Sequence, residues 1–316
     1  MSTTERISVV IPLYNKRNEI VHTIQSVLAQ TFADFELIVV DDGSTDDSWS
    51  RVKQINDSRI VPIHKENGGV SSARNVGIRA ANFPFIALLD GDDYWDPTFL
   101  EEQLYLIRDF PNAGLWGVNY AFVKGDKCEP CNQGVGDGYR GYINGYFATT
   151  SHNDLFCSSS VVVRKDVFDV VGYFDERIAS SEDLDMWYRI ILKYPVVYYD
   201  KVLSYYNQNA ENRVAYDTKV RFPLTKDIKY YIDKFSEDFK QNRDFAHYLN
   251  TIVAVGLLKD GYYFGSKQDR IDADHVVGML HYESIHVKYR WIFRTPRWLG
   301  RIFYALVQGK KRFATR

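Results

Sequence analysis

Short runs of apolar and β-branched residues alternate with helical patterns through the first half of the chain, and two of those runs end abruptly in carboxylates. That alternation is what a parallel sheet built from strand–helix–strand units requires, because strands covered on both faces read as continuous apolar runs. Ile7 to Pro12 reads as a first strand, and Glu19 to Ala29 as a helix with Ile20, Ile24, Val27 and Leu28 on one face. Phe35 to Val40 reads as a second strand that runs into Asp41-Asp42-Gly43-Ser44, with Asp46 and Asp47 placed for the start of a helix. Arg59 to Ile63 gives a third strand, Ser71 to Ala80 another helix, and Phe85 to Leu89 a strand that runs into Asp90-Gly91-Asp92-Asp93. Open α/β sheets bind ligands just beyond the carboxyl ends of their strands. Asp-Gly-Ser alone is ordinary turn chemistry, so it is the second acidic strand end that marks a site.

Residues 119 to 157 are rich in Gly, Asn and Tyr without a sustained period, and read as a long excursion or lid. Ser159 to Arg164 resumes a strand and Lys165 to Val171 a short helix. Glu182-Asp183 opens an amphipathic helix with Leu184, Trp187, Ile190 and Ile191 spaced for burial, and Val196 to Tyr199 is a further strand. Beyond about Tyr216 helical periods dominate. The expectation is an α/β domain over residues 1–215 and a helical C-terminal region over residues 216–316.

Lysine and arginine number 39 against 41 acidic residues, which excludes a general nucleic-acid-binding surface. Neither a Gly-x-Gly-x-x-Gly turn nor a Gly-Lys-Ser/Thr phosphate loop follows the first strand, and no Gly-x-Ser-x-Gly or His-Glu-x-x-His segment occurs. Met1 to Arg6 has no basic leader before an apolar stretch, and no apolar run reaches the roughly 18 residues a spanning helix needs. A cytoplasmic chain is the expectation. Three cysteines make no disulfide framework. Cys128 and Cys131 read as reduced thiols in a loop; the alternative is half a zinc ligand set, with His152 and Cys157 as its completions.

Asp90 and Asp92 present two hard oxygen ligands around a glycine that lets backbone approach closely, a pattern suited to Mg²⁺ or Mn²⁺ completed by phosphate oxygens. Six motifs then occur in order: Pro12-Leu13-Tyr14-Asn15, Ser26-Val27-Leu28-Ala29-Gln30-Thr31, Asp41-Asp42-Gly43-Ser44-Thr45-Asp46, Asn67 to Gly77, Leu89-Asp90-Gly91-Asp92-Asp93 and Ser181-Glu182-Asp183-Leu184-Asp185. Over roughly residues 5 to 210 the chain closely resembles glycosyltransferase family 2, inverting enzymes with the GT-A fold, a mostly parallel sheet flanked by helices.

The resemblance implies transfer of a sugar from a nucleotide-sugar donor, UDP-linked by preference, to a glycan or lipid-linked acceptor in cell-surface polysaccharide synthesis. It implies that Pro12, Tyr14, Asn15 and Glu19 border the nucleotide, that Asp42 binds the base, and that Asn67 and Arg74 lie on the donor side. Asp90 and Asp92 match the DxD motif, with Asp92 as direct metal ligand and Asp93 as a secondary candidate. Asp183 matches the general base, which the chemistry needs because the attacking hydroxyl must lose its proton. Glu182 and Asp183 also suit a helix N-terminus without any catalytic role. Trp187 is placed either to stack on an acceptor sugar or in the core. Many relatives carry a histidine shortly after the strand near residue 200; here Tyr205 to Arg213 has none, leaving either Asn207 or Asn209 as substitutes or a metal use that differs in detail. Rival readings are a non-catalytic nucleotide-sugar-binding protein and a nucleotide-sugar hydrolase.

From Lys288 to Arg316 the chain carries nine lysines or arginines and no acidic residue. Trp298, Leu299, Ile302, Phe303, Leu306 and Val307 form one apolar face between Thr295-Pro296 and Gly309. This composition suits an interfacial helix on an anionic membrane surface at the inner face of the cytoplasmic membrane, and also a helix docked on its own domain.

Overall fold

A computed structural model of the chain describes residues 5–131, 134–149, 155–178, 181–211, 234–256 and Leu299. Met1–Asp217 and Thr218–Arg316 are two compact units.

In the first unit the apolar runs at the start of the chain become β1 (Ile7–Leu13) and β2 (Phe35–Asp42), buried along their whole length. β3 (Ile60–Lys65) pairs parallel with β2, and β4 (Phe85–Leu88) pairs parallel with β1. Two faces of β1 explain its unbroken apolar sequence. Ile7, Val9, Ile11 and Leu13 join a core with Ile20, Ile24 and Val27 of α1 (Ile20–Leu28), while Val10 meets Gly77 of α3 (Val70–Ala80). Between β2 and β3 lies α2 (Ser48–Gln54), whose first turn is organised by the Asp46 carboxylate, accepting from the Ser48 backbone N–H and hydroxyl.

Beyond β4 the parallel pattern stops. β5 (Tyr94–Trp95) and α4 (Phe99–Asp109) follow the acidic turn directly. The stretch expected to be an excursion opens instead with a core strand, β6 (Leu115–Lys124), buried through Ala121. Gly117 hides its strand character: the Phe156 ring occupies the space a Cβ would need. β7 (Lys127–Pro130) hairpins onto β6, and β8 (Arg140–Tyr142) and a one-turn helix, α5 (Tyr146–Thr149), complete the described part of the excursion. Ser158–Ser160 is a 3₁₀ turn rather than strand, and β9 (Val161–Arg164) inserts antiparallel between β4 and β6. After α6 (Val167–Val171) and α7 (Glu182–Ile191) comes β10 (Val196–Asn207), eight residues longer than expected and irregular around Val202. The sheet order is β3-β2-β1-β4-β9-β6-β10-β5, with β7 on β6 and β8 on β10.

In the second unit all described secondary structure is helical: α8 (Ser236–Gln241) and α9 (Arg243–Gly256). Its Phe235, Phe245, Tyr248 and Leu249 are buried. The amphipathic helix expected between Thr295 and Gly309 lies outside the described residues apart from Leu299, which is helical.

A Cβ on Gly77 would lie 2.3 Å from Val10 Cγ1 and 3.3 Å from Val40 Cγ2, so α3 sits on the sheet at glycine distance. Alanine is favoured over glycine inside a helix by about 1 kcal/mol. Forcing a methyl group into a filled core costs about 1–3 kcal/mol, which outweighs it. We expect Gly77→Ala to lower the urea midpoint with an unchanged m-value; a raised midpoint would show that α3 lifts off the sheet at little cost.

Candidate active site

β2, β1 and β4 are parallel neighbours, with Leu13 opposite Asp41 and Val10 opposite Leu88, so their carboxyl ends open at one edge of the sheet. Asn15, Asp42 and Asp90 therefore emerge side by side although they are far apart in sequence.

Asn15 adopts a left-handed backbone, φ 49°. Its carboxamide oxygen accepts from Thr45 N at 2.8 Å, and its own N–H donates to Ser44 Oγ at 3.0 Å, clamping the end of β1 to the turn after β2. Asp42 is saturated: Oδ1 accepts from Lys65 Nζ at 2.5 Å and Gly68 N at 3.0 Å, and Oδ2 from Gly69 N at 2.8 Å. Asn67 donates to the Asp42 carbonyl at 2.9 Å. Pro12 is buried and Tyr14 exposed beside this group, and Glu19 Oε1 accepts from Glu211 N at 3.2 Å.

The acidic turn after β4 is held from below. Thr23 of α1 donates to the Asp93 carbonyl at 2.7 Å, and Ser159 Oγ accepts from Asp90 N at 3.1 Å while donating to Asp93 Oδ2 at 2.5 Å. A Cβ on Gly91 would stand 2.9 Å from the Pro12 carbonyl, so only glycine lets this turn rest on β1. Asp93 faces inward, taking Asn207 N at 2.9 Å, and burial, with Asp92 and Asp90 adding to it, pushes its carboxyl well above the carboxylate range. Asp90 and Asp92 each meet a cation: Arg74 reaches Asp90 at 2.7 Å and Lys16 reaches Asp92 at 2.7 Å.

Arg74 is buried and also donates to Glu182 at 2.7 Å. Burial opposes its charge, but Asp90, Glu182 and Asp183 hold the guanidinium above its ordinary pKa. Through this one side chain the acidic turn is joined to the N-terminus of α7. Asp183, inside the first turn, accepts from Leu184 N at 2.8 Å, and burial, reinforced by Glu182 and opposed by Arg74, pushes its carboxyl up to about 7. Ser181, just before it, is left-handed at φ 61°, a strained conformation for a serine. Asn75 grips Phe174 N and O at 2.9 Å, and Arg189 gathers the carbonyls of Val171, Gly172 and Tyr173, fixing the loop that leads to the helix.

The geometry thus brings Asp90, Arg74 and Asp183 into one cluster and Asp92 beside them, with Asp42, Asn67 and Asn15 at the neighbouring strand ends. Trp187 is fully buried, edge-on to Phe174, so it belongs to the core and not to a sugar platform. Asn207 Oδ1 accepts from Asn209 N and Asn209 Oδ1 from Gly125 N, so both carboxamides are engaged with backbone. Lys16, Lys65 and Ser159 are participants that sequence reasoning missed, and Glu182 was read only as a helix N-terminal carboxylate within the last motif. Lys16 and Lys65 lie beside the motifs, whereas nothing local marks Ser159; the partners of all lie far off in sequence. Among the described residues no group of three or more His, Cys, Asp or Glu forms a metal cage, and Cys128 is exposed while Cys131 is buried; His152 lies outside the described residues.

The family model described as glycosyl transferase family 2 matches residues 8–172. The chain belongs to glycosyltransferase family 2. An Escherichia coli family relative, UDP-Glc:alpha-D-GlcNAc-diphosphoundecaprenol beta-1,3-glucosyltransferase WfaP, is 41% identical over 60% of this chain and 71% of its own length. An uncharacterized glycosyltransferase of Rickettsia conorii is 34% identical over 63% of this chain, which spans only 32% of that relative's length. Among solved structures, S. aureus TarS 1-349 in complex with UDP-GlcNAc matches 96% of this chain and 92% of its own with a TM-score of 0.65 at 18% identity. That likeness shows a shared fold, the GT-A sheet flanked by helices.

A carboxyl whose folded pKa lies above its unfolded value of 3.8 costs the fold stability as pH rises, in full once pH passes about 7. An asparagine in place of Asp183 would keep an acceptor for Leu184 N without the buried charge. We expect Asp183→Asn to be more stable than the parent at pH 8, by about 1–3 kcal/mol, with the difference closing toward pH 4. Urea titrations at the two pH values check this; equal stability at pH 8 would mean the carboxyl is not strained by burial.

Proposed function

We propose that this family member is an inverting, metal-dependent glycosyltransferase that moves a sugar from a UDP-sugar onto an acceptor hydroxyl in cell-surface glycan synthesis. The observation that carries the reading is the Arg74 bridge, which ties the acidic turn to the helix end bearing Asp183. WfaP supports a UDP-linked donor and a diphosphoundecaprenol-linked acceptor by its name, and the TarS fold accommodates UDP-GlcNAc.

In this reading Pro12, Tyr14, Asn15, Glu19, Asp42 and Asn67 border the nucleotide, and Arg74 lies on the donor side. Asp183 takes the proton of the acceptor hydroxyl as its oxygen bonds to the anomeric carbon. The bond from that carbon to the diphosphate oxygen breaks on the opposite face, its electron pair leaves with UDP, and the centre inverts. A carboxyl with a pKa of about 7 is matched to that proton transfer near neutral pH. Asp90 and Asp92 are partly exposed hard-oxygen ligands, whereas Asp93 is turned inward, a donor set that fits a cation completing its shell with phosphate and water. Mg²⁺ or Mn²⁺ held there would supply charge stabilisation of the leaving diphosphate.

The test is UDP release across a donor panel with and without acceptor, and mass analysis of the product. Asp183→Asn should lower transfer by roughly 10²-fold while leaving UDP affinity intact. Equal turnover by the variant removes Asp183 from the base role, and free sugar released regardless of acceptor points to a hydrolase.

We also propose that the basic tail from about Lys288 attaches the enzyme to an anionic membrane surface. No helix among the described residues is long and apolar enough to cross a membrane. Basic residues near such a surface contribute about 1 kcal/mol each and are screened by salt. Co-sedimentation with anionic liposomes should be strong at low salt for the full chain and absent for a chain ending at Tyr282. Equal binding by both, or by neither, would mean that the tail is not the anchor.

A further inference from the structure

We infer that Lys16 is an exchangeable counter-ion of the donor site: it neutralises Asp92 while the divalent cation is absent and turns to the donor's diphosphate when that cation takes the carboxylate. The inference rests on the glycosyltransferase reading.

The backbone that carries Lys16 is fixed. Its own N–H donates to Ser48 Oγ at 2.8 Å, and the preceding residue, Asn15, is locked into the turn after β2. The side chain spans from there to the acidic turn, donating to Asp92 Oδ2 at 2.7 Å and to the Glu211 carbonyl at 2.9 Å. Both members of the ion pair keep some access to water, at 14% exposure for Lys16 and 16% for Asp92.

The other cation of the site differs in each respect. Arg74 is 3% exposed and shared between Asp90 and Glu182, so releasing either carboxylate would uncover a buried charge. An ammonium on a flexible four-carbon stem, itself partly wet and paired with a partly wet carboxylate, leaves less buried charge behind when it turns away. A dication bound at Asp92 would face this ammonium within a few ångströms, where like charges repel strongly even at a moderate effective dielectric. The anion that would arrive with the dication is the diphosphate, whose charge would attract the released ammonium. Lys16 would then weaken metal binding in the empty site and strengthen nucleotide binding in the loaded one.

These opposite signs give the test. Titration calorimetry on the full chain would measure Mn²⁺ alone, then UDP in saturating Mn²⁺, for the parent, Lys16→Met and Lys16→Gln. We expect both variants to bind Mn²⁺ alone about tenfold more tightly, and UDP with Mn²⁺ about tenfold more weakly, the scale of one charge-assisted contact. Damage to the fold would weaken both affinities together. Any pattern other than tighter metal with weaker nucleotide overturns the role of Lys16. A parent chain that binds no UDP overturns the glycosyltransferase reading and this inference with it, whereas normal parent binding matched by both variants overturns Lys16 alone.

Discussion

A buried guanidinium cannot be left without partners, and Arg74 is the point on which the site turns. It sits inside α3 with 3% of its side chain exposed, between Asp90 of the acidic turn and Glu182 of α7. Removing one partner of a buried charge pair leaves an uncompensated charge that costs several kcal/mol. The two carboxylates are therefore obliged to converge on α3, from segments 16 and 108 residues away. Everything the proposed chemistry needs follows from that convergence, because Asp90 brings the DxD turn with it and Glu182 brings Asp183.

The surrounding hydrogen bonds serve the same requirement. Ser159 and Thr23 hold the acidic turn at a set height above β4, and Asn75 and Arg189 hold the loop that leads to Asp183. Neutral donors and one further buried ion pair, Asp185 with Arg189, do this without adding free charge next to the reacting groups. The left-handed residues Asn15 and Ser181 stand where the chain must turn sharply into the site, and their cost is borne by the packed strands and helix beside them.

How much of this was legible in the chain depends on the range of the interaction. β1, β2 and β4 announce themselves because strands covered on both faces need continuous apolar runs, and their acidic ends follow at once. α4 was legible in principle, since Phe99, Leu100, Gln103, Leu104, Leu106 and Ile107 are buried at helical spacing, but it was not read from the sequence. β6 was masked by Gly117 and Asn119, whose place in a strand makes sense only once Phe156 and Asp200 are seen against them. The antiparallel insertion of β9 has no local signature, because pairing with β4 and β6 is decided by shape at long range. Residue types at the site could be read from motifs, whereas the pairings of Lys16 with Asp92, Lys65 with Asp42 and Arg74 with Glu182 could not, since ion pairs leave no periodicity.

The sign of the local field is the last consequence. Asp90, Asp92, Asp93, Glu182 and Asp183 face two cations, Lys16 and Arg74, and in three groups burial comes first and the nearby negative charge adds to it. Asp93 and Asp183 are pushed toward their protonated forms, and burial together with Asp93, Asp90 and Asp183 raises the Cys157 thiol well above its usual range. A region that penalises its own negative charges also penalises a bare diphosphate. In the proposed reaction a divalent cation accompanying the nucleoside diphosphate would offset that field. In that reading the cation's charge would also lower the cost of ionising Asp183 and favour its base form while the donor is seated.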